Sequence, residues 1–385
     1  MFSEFINFVR DIYGTTKKIS LHEPKFIGNE KKYLNQCIDT NFVSSIGKFV
    51  DKFEKKIAKY TGVKHAIATN NGTSALHISL ILAGVEQDDE VITQPLNFVS
   101  SCNAISYCKA RPIFIDVDRA TMGMSPSALR SFLEKNTIIV NKKCINKKTK
   151  KIIKACIPMH SYGHPCHIDE IKKLLKKYYI FLIEDAAESL GSTYKDKHTG
   201  TFGHLGTLSF NGNKIITAGG GGCILTNDKV LAKKAKHLTT TSKVPHKWEF
   251  NHDMVGFNYR MPNINAALGC AHLEALPEAI EKKRQLVNLY QIAFQGVKGV
   301  KVFTEPTFAK SNYWLNVLLL DDEFSQERDS LLDLLNARGI MVRPLWTLMH
   351  ELEIYKHCPK MDDLLVAQSL SRRLINVPSS PHLVV

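Results

Sequence analysis

Thr207-Leu-Ser-Phe-Asn-Gly-Asn-Lys-Ile-Ile-Thr-Ala-Gly-Gly-Gly-Gly-Cys-Ile-Leu-Thr-Asn-Asp228 sets one lysine, Lys214, between two short apolar runs. The runs at 208–210 and 223–226 read as strands. The four glycines before the second run let backbone approach a bulky flat ligand beside the amine. Twenty-nine residues upstream of Lys214, the apolar Ile180-Phe-Leu-Ile183 ends in Glu184-Asp-Ala-Ala-Glu-Ser189 and sets Asp185 at a strand end. A third stretch, Ala66-Ile-Ala-Thr-Asn-Asn-Gly-Thr-Ser-Ala-Leu-His-Ile-Ser-Leu80, reads as strand, small-residue turn and helix. There Gly72, Thr73 and Ser74 would offer free amides and hydroxyls at a helix start, where orphan N–H groups and the dipole favour a phosphate.

Each piece alone has a bland reading: a solvated loop lysine, an aspartate capping a helix, glycines in a turn. Phosphate cradle, acid and lysine in that order are what a pyridoxal phosphate site requires. The lysine amine bonds the cofactor's aldehyde, and the aspartate keeps the pyridine nitrogen protonated so that the ring can take up electrons.

Outward from these motifs, strand-like segments at 66–69, 90–93, 111–116, 155–159, 180–184, 207–210 and 222–226 alternate with helix-like ones such as 74–83, 98–108 and 168–178. That alternation predicts an α/β fold with a mostly parallel central sheet. After Asp228 the pattern changes to helices at 263–276 and 278–294, an apolar stretch at 313–320, a helix near 325–338 and a strand near 341–344. The division expected is a large cofactor-binding domain, 1–250, and a small C-terminal α/β domain, 251–385.

Seven motifs together resemble the DegT/DnrJ/EryC/StrS type of PLP-dependent nucleotide-sugar aminotransferases, within fold type I of PLP enzymes. They are Asn71-Gly-Thr-Ser-Ala-Leu76, Gln94-Pro-Leu-Asn-Phe-Val99, Phe114-Ile-Asp-Val-Asp118, Pro158-Met-His-Ser-Tyr-Gly163, Glu184-Asp-Ala-Ala187, Ser209-Phe-Asn-Gly-Asn-Lys214 and Gly256-Phe-Asn-Tyr-Arg-Met261. Two further stretches, Leu21-His-Glu-Pro-Lys-Phe-Ile-Gly-Asn-Glu30 and Val43-Ser-Ser-Ile-Gly-Lys-Phe-Val50, are similar to a subgroup that aminates C4 of UDP-linked 4-keto-6-deoxy-N-acetylglucosamine, toward legionaminic acid or bacillosamine-type sugars. The resemblance implies a UDP-2-acetamido-2,6-dideoxy-4-hexulose substrate, L-glutamate as amino donor and a place in surface polysaccharide biosynthesis.

The resemblance also implies roles for single residues. Lys214 is the anchoring and proton-moving amine, close to substrate, and Asp185 faces the pyridine nitrogen. Ser209 takes the phosphate with Gly72, Thr73 and Ser74, and Phe98 stacks on the cofactor ring. His160 lies near cofactor or substrate. Asn258 reaches across a homodimer to the neighbouring phosphate, so that active sites are shared. Glu188 stands where many relatives carry Gln, near the cofactor's phenolic oxygen, either raising the proton affinity beside it or itself protonated. The glycine run lacks the acid many relatives carry second, and His167 replaces an Asp. Alternatives are a sugar 3-aminotransferase, a dehydratase of the same fold, which carries His in place of Lys214, and a non-catalytic regulatory relative.

His160, His164, Cys166 and His167 fall within eight residues, yet match no usual metal-ligand spacing, and Pro165 stiffens the turn, so no metal is expected. The nine cysteines form no C-x-x-C pair, and no apolar run reaches membrane length. The N-terminus reads as a short amphipathic helix rather than a secretory signal, and a cytoplasmic enzyme is expected. The net charge of +14 is dispersed, and its densest run, 142–154, reads as a hairpin with a polar tip. No nucleic-acid partner is expected, although the positive field favours an anionic substrate.

Overall fold

The computed structural model describes residues 2–381. Its centre is a seven-stranded sheet: β1 (His65–Thr69), β2 (Glu90–Thr93), β3 (Arg111–Phe114), β4 (Ile153–Ile157), β5 (Phe181–Asp185), β6 (Leu205–Ser209) and β7 (Gly222–Thr226). The spatial order is β1-β7-β6-β5-β4-β2-β3. Strands β3, β2, β4, β5 and β6 run parallel, while β7 is antiparallel to both β6 and β1. The strands are nearly continuous apolar runs because helices cover both faces. Ile92, Ile113, Cys156 and Leu182 pack on one side of the sheet, and Val91, Ala155, Ile157 and Ile183 on the other. Strand β3 ends at Phe114, two residues before its expected limit.

A second, antiparallel sheet is built from Val300–Val302, Asn316–Leu320, Leu374–Val377 and Arg343–Pro344, in that spatial order. The apolar stretch expected from 313 becomes strand only at Asn316, because Tyr313 takes a left-handed φ of 46° that no strand accommodates. The helix expected near 325–338 starts as a tight turn, Asp322–Glu327, and is α-helical over Arg328–Ala337.

Two helices expected on either side of Pro277 are one, Asn263–Ala293, with the proline inside. Proline removes one backbone hydrogen bond, and the packing of both halves outweighs that loss. Ala266, Cys270 and Leu273 pack with Phe53 and Met261, whereas Leu286 and Tyr290 pack under the second sheet. The expected N-terminal helix is present as Phe2–Tyr13; Phe5 and Val9 join Tyr290 and Leu318, so this helix packs with the long helix and the second sheet. Helices at Glu30–Asp39, Lys48–Thr61, Pro126–Asn136 and Lys229–Thr239 add to those expected. The basic run holds two turns rather than one: Asn141 and Lys142, both at positive φ, join Thr137–Val140 to Lys143–Asn146, and Ile145 bridges Ile152 around the polar tip. No helix among the described residues is long and apolar enough to cross a membrane.

Candidate active site

The C-terminal ends of the adjacent parallel strands β5 and β6 deliver Asp185 and Ser209, the edge where α/β sheets bind ligands. From Ser209 the chain enters the loop expected to carry the lysine. Phe210 anchors it by donating to the Gly221 carbonyl at 2.8 Å and accepting from Ala218 at 2.9 Å, and the Lys214 amide donates to Asn211 at 3.1 Å. The Lys214 amine lies 3.3 Å from Glu188 Oε1 and 3.9 Å from the centre of the Trp314 ring. Trp314 Nε1 donates to the Asn213 carbonyl at 2.7 Å, tying the ring to the lysine loop.

Asp185 is buried. Its Oδ2 accepts from Ser101 Oγ at 2.6 Å and its Oδ1 from the Ala187 amide at 3.1 Å. Burial pushes its carboxyl up from the ordinary range, against the pull of those donors. The neighbouring Glu184 points the other way and is fully employed by the fold, accepting from the amides of Gly200, Phe202 and Gly203 and pairing with His160. Glu188 is also buried. Its Oε2 accepts the Tyr162 amide at 2.8 Å, and burial lifts its carboxyl to about 7, with Lys214 opposing the rise.

The phosphate cradle forms at the start of helix Gly72–Leu82, with one correction. The Ser74 amide is not free: Asn71 caps the helix and accepts it at 2.7 Å. The helix end therefore offers the amides of Gly72 and Thr73. Gly72 sits so close to Ser209 that a Cβ would meet the serine Cβ at 3.0 Å, which brings cradle and serine hydroxyl together. Gly222, at the start of β7, likewise leaves room for the Asn71 carbonyl, 2.3 Å from where its Cβ would stand.

Phe98 precedes helix Val99–Tyr107 and is half exposed, its ring 6.1 Å from Trp346. His160 is fully buried with both ring nitrogens taken: Nδ1 accepts the Cys166 amide and Nε2 faces Glu184. Its polar atoms are directed into the protein rather than toward a ligand. Asn258 is exposed, and its side-chain oxygen accepts from Arg260 Nε at 3.1 Å. Its segment runs beside the cradle, with Tyr259 accepting the Asn70 amide and Arg260 bridging Thr69.

The histidine-rich turn diverges. His164 lies between Phe303 and Tyr313, where burial pulls its imidazole down to about 3, and His167 faces Asp118 and Glu170.

Three residues had escaped the sequence reading. Ser101 supports Asp185, Trp314 covers Lys214, and Tyr162, at a left-handed φ of 56°, gives its amide to Glu188 and stacks against Trp314 and Trp346. The left-handed tyrosine had no sequence signal. The serine's position one turn into a helix after Gln94-Pro-Leu-Asn-Phe-Val99 was a weak one.

The donor set suits pyridoxal phosphate. A buried carboxylate meets only neutral donors, an amine stands on the next strand's loop, and two amides at a helix start lie beside a hydroxyl.

Comparison with known proteins gives the same picture. The family model described as the DegT/DnrJ/EryC1/StrS aminotransferase family matches residues 24–384. GDP-perosamine synthase of Vibrio cholerae is 38% identical over 365 residues, covering 95% of each chain. The putative pyridoxal phosphate-dependent aminotransferase EpsN of Bacillus subtilis is 38% identical over 95% of this chain and 92% of its own. Among solved structures, a DegT DnrJ EryC1 StrS aminotransferase from Brucella abortus superimposes with a TM-score of 0.83 at 26% identity, over 92% of this chain and 91% of its own.

Proposed function

The chain belongs to the DegT/DnrJ/EryC1/StrS aminotransferase family and is a PLP-dependent sugar aminotransferase; from that premise we propose that it aminates C4 of a UDP-linked 2-acetamido-2,6-dideoxy-4-hexulose with L-glutamate as donor. The observation that carries the reading is the delivery of Asp185 and Lys214 from adjacent strands β5 and β6 to one edge of the sheet. The UDP-linked substrate is supported by the two stretches at 21–30 and 43–50. His22, Glu23, Pro24, Lys25 and Ile27 of the first line a cavity with Ile215 and Ile216, the two residues that follow Lys214 in sequence. The second lies on the start of the long helix, where Asn263 donates to the Ser44 carbonyl. A second reading, a GDP-linked keto-sugar, is favoured by the 38% identity to a GDP-perosamine synthase.

The reading assigns these roles. Bound pyridoxal phosphate supplies an electron sink for the carbon that gains or loses the amino group. Asp185, stripped of water and steadied by Ser101, holds a proton at the pyridine nitrogen. Gly72 and Thr73 amides with the Ser74 and Ser209 hydroxyls hold the phosphate, and Phe98 flanks the ring. Lys214 anchors the cofactor and, when its amine is free, moves a proton as general base, with Glu188 at 3.3 Å to receive its charge. Asn258 completes the phosphate site of a partner subunit. The exposed Trp248, Phe250, Met254 and Val255 just before it form an apolar surface suited to that contact.

Incubating the pyridoxamine-loaded enzyme with UDP-, GDP- and TDP-linked 4-keto sugars, and reading products by NMR, tests the proposal. A 4-amino product from the UDP sugar alone is expected. Amination only of the GDP sugar replaces it by the second reading, and amination of the TDP sugar alone overturns both.

A further inference from the structure

Lys283 is a buried charge that the chemistry above leaves unused. It lies on helix Asn263–Ala293 with no solvent exposure, and burial holds its ammonium well below the ordinary lysine range. Its ammonium donates to three main-chain carbonyls: Tyr313 at 3.1 Å, Trp314 at 3.0 Å and Ser379 at 2.6 Å. Three donors thus meet three acceptors. No carboxylate pairs with it among the described residues. A buried cation without a counter-charge is costly, and an apolar side chain would fill the same space more cheaply.

The acceptors indicate what the charge is for. Two of the three carbonyls belong to Trp314 and to the residue before it, Tyr313, whose left-handed φ of 46° is unfavourable for an aromatic residue and persists only where surroundings enforce it. The third belongs to Ser379, whose hydroxyl accepts the Asn316 amide at 2.8 Å and so fastens the strand that follows Trp314. The ring held in this way lies over the Lys214 amine at 3.9 Å, and it also stacks with Tyr162, the residue whose amide donates to Glu188.

We propose that Lys283 is a positioning residue: its ammonium gathers the carbonyls of Tyr313, Trp314 and Ser379 and thereby holds the Trp314 indole as a cover on the Lys214 amine. The catalytic consequence rests on the reading of Lys214 as the reacting amine, whereas the cover is a property of the chain itself. The cover shields the amine from water and keeps it beside Glu188. Without the clamp, Tyr313 relaxes to negative φ and the indole swings off.

The test measures how fast trinitrobenzenesulfonate modifies Lys214 in the cofactor-free full-length chain, resolved by peptide mass spectrometry. Lys283→Met is expected to raise the rate at Lys214 several-fold while leaving exposed lysines such as Lys197 unchanged. Trp314→Leu should give the same rise, and the double variant no more than either. With cofactor bound, Lys283→Met should lower kcat about tenfold with KM for the amino donor little changed, the pattern of a misplaced rather than missing group. An unchanged Lys214 rate in Lys283→Met, or rises that add in the double variant, overturns the proposal. Should Lys283→Met fail to fold, Lys283→Gln, which keeps two donors and loses the third, should raise the Lys214 rate in the same direction by less, and an unchanged rate there overturns the proposal equally. A labelling response with no loss of turnover upholds the clamp and counts instead against Lys214 as the reacting amine.

Discussion

Glu188 divides its two carboxylate oxygens between the Lys214 amine, at 3.3 Å, and the Tyr162 amide, at 2.8 Å. Burial raises this carboxyl from 4.5 to about 7, so the folded chain binds its proton more tightly than the unfolded chain does. The stability this group contributes is full below about 4.5 and is lost as pH rises through about 7. Glu188→Gln removes the titration. The stability of the variant relative to wild type is therefore expected to improve between pH 5 and 8 by on the order of 2 kcal/mol, read by urea denaturation of the cofactor-free chain. Parallel pH dependences of the two proteins would show that Glu188 ionises without penalty.

The buried Asp185 gives a second expectation. Asp185→Asn keeps the size of the side chain and its bond to Ser101, yet removes the charge that, in the proposed role, holds a proton on the pyridine nitrogen. Cofactor binding should persist, while the half-reaction with glutamate slows on the order of a hundredfold or more, the scale of a positioned proton group. Stopped-flow absorbance measures it, and near-normal rates would mean that another residue faces the nitrogen. Ser101→Ala, which removes the 2.6 Å bond to Asp185, should give a smaller loss in the same direction.

Lys214→Arg is expected to abolish turnover, because a guanidinium cannot bond the cofactor or act as general base, while the cradle still docks the phosphate. In wild type, borohydride should bleach the yellow colour and fix the cofactor on a peptide containing Lys214. A label on any other lysine would sink the assignment.

What the sequence disclosed, and what it hid, follows from the range of the interactions involved. Strands β2 and β7 are apolar runs bounded by turn residues, and both were legible to the residue because their boundaries are set locally. The placement of Asp185 was legible because it ends a strand, and that of Lys214 because it stands on the glycine-flanked loop between two strands. Pro277 misled, since its local cost is overruled by packing on both halves of the helix. Lys48–Thr61, with Phe49, Phe53 and Ile57 buried at helical spacing, was readable and was missed. The Ser74 amide was misjudged because Asn71, immediately upstream, competes for it as an N-cap. Ser101 and Trp314 reach the site from 84 residues before Asp185 and 101 residues after Asn213, and no local pattern announces contacts of that span.

The last expectation ties subunit association to chemistry. Asn258 is exposed, its side chain accepts from Arg260 while its backbone bridges Thr240, and it follows an apolar segment that ends in Val255, 84% exposed. If that segment docks on a second copy and Asn258 completes the copy's phosphate site, Lys214→Ala and Asn258→Asp should each be weak alone. The first lacks the anchoring amine, and the second places a carboxylate against a phosphate. A mixed dimer of the two contains one site with both defects and one with neither. Mixing the variants after dissociation should restore activity toward a quarter of wild type, since half of the dimers are mixed and each carries one intact site of two. Mass spectrometry of differently tagged subunits establishes that mixed dimers have formed. If they form and activity stays at the level of the parents, Asn258 serves its own subunit, and the exposed segment has a purpose other than sharing the site.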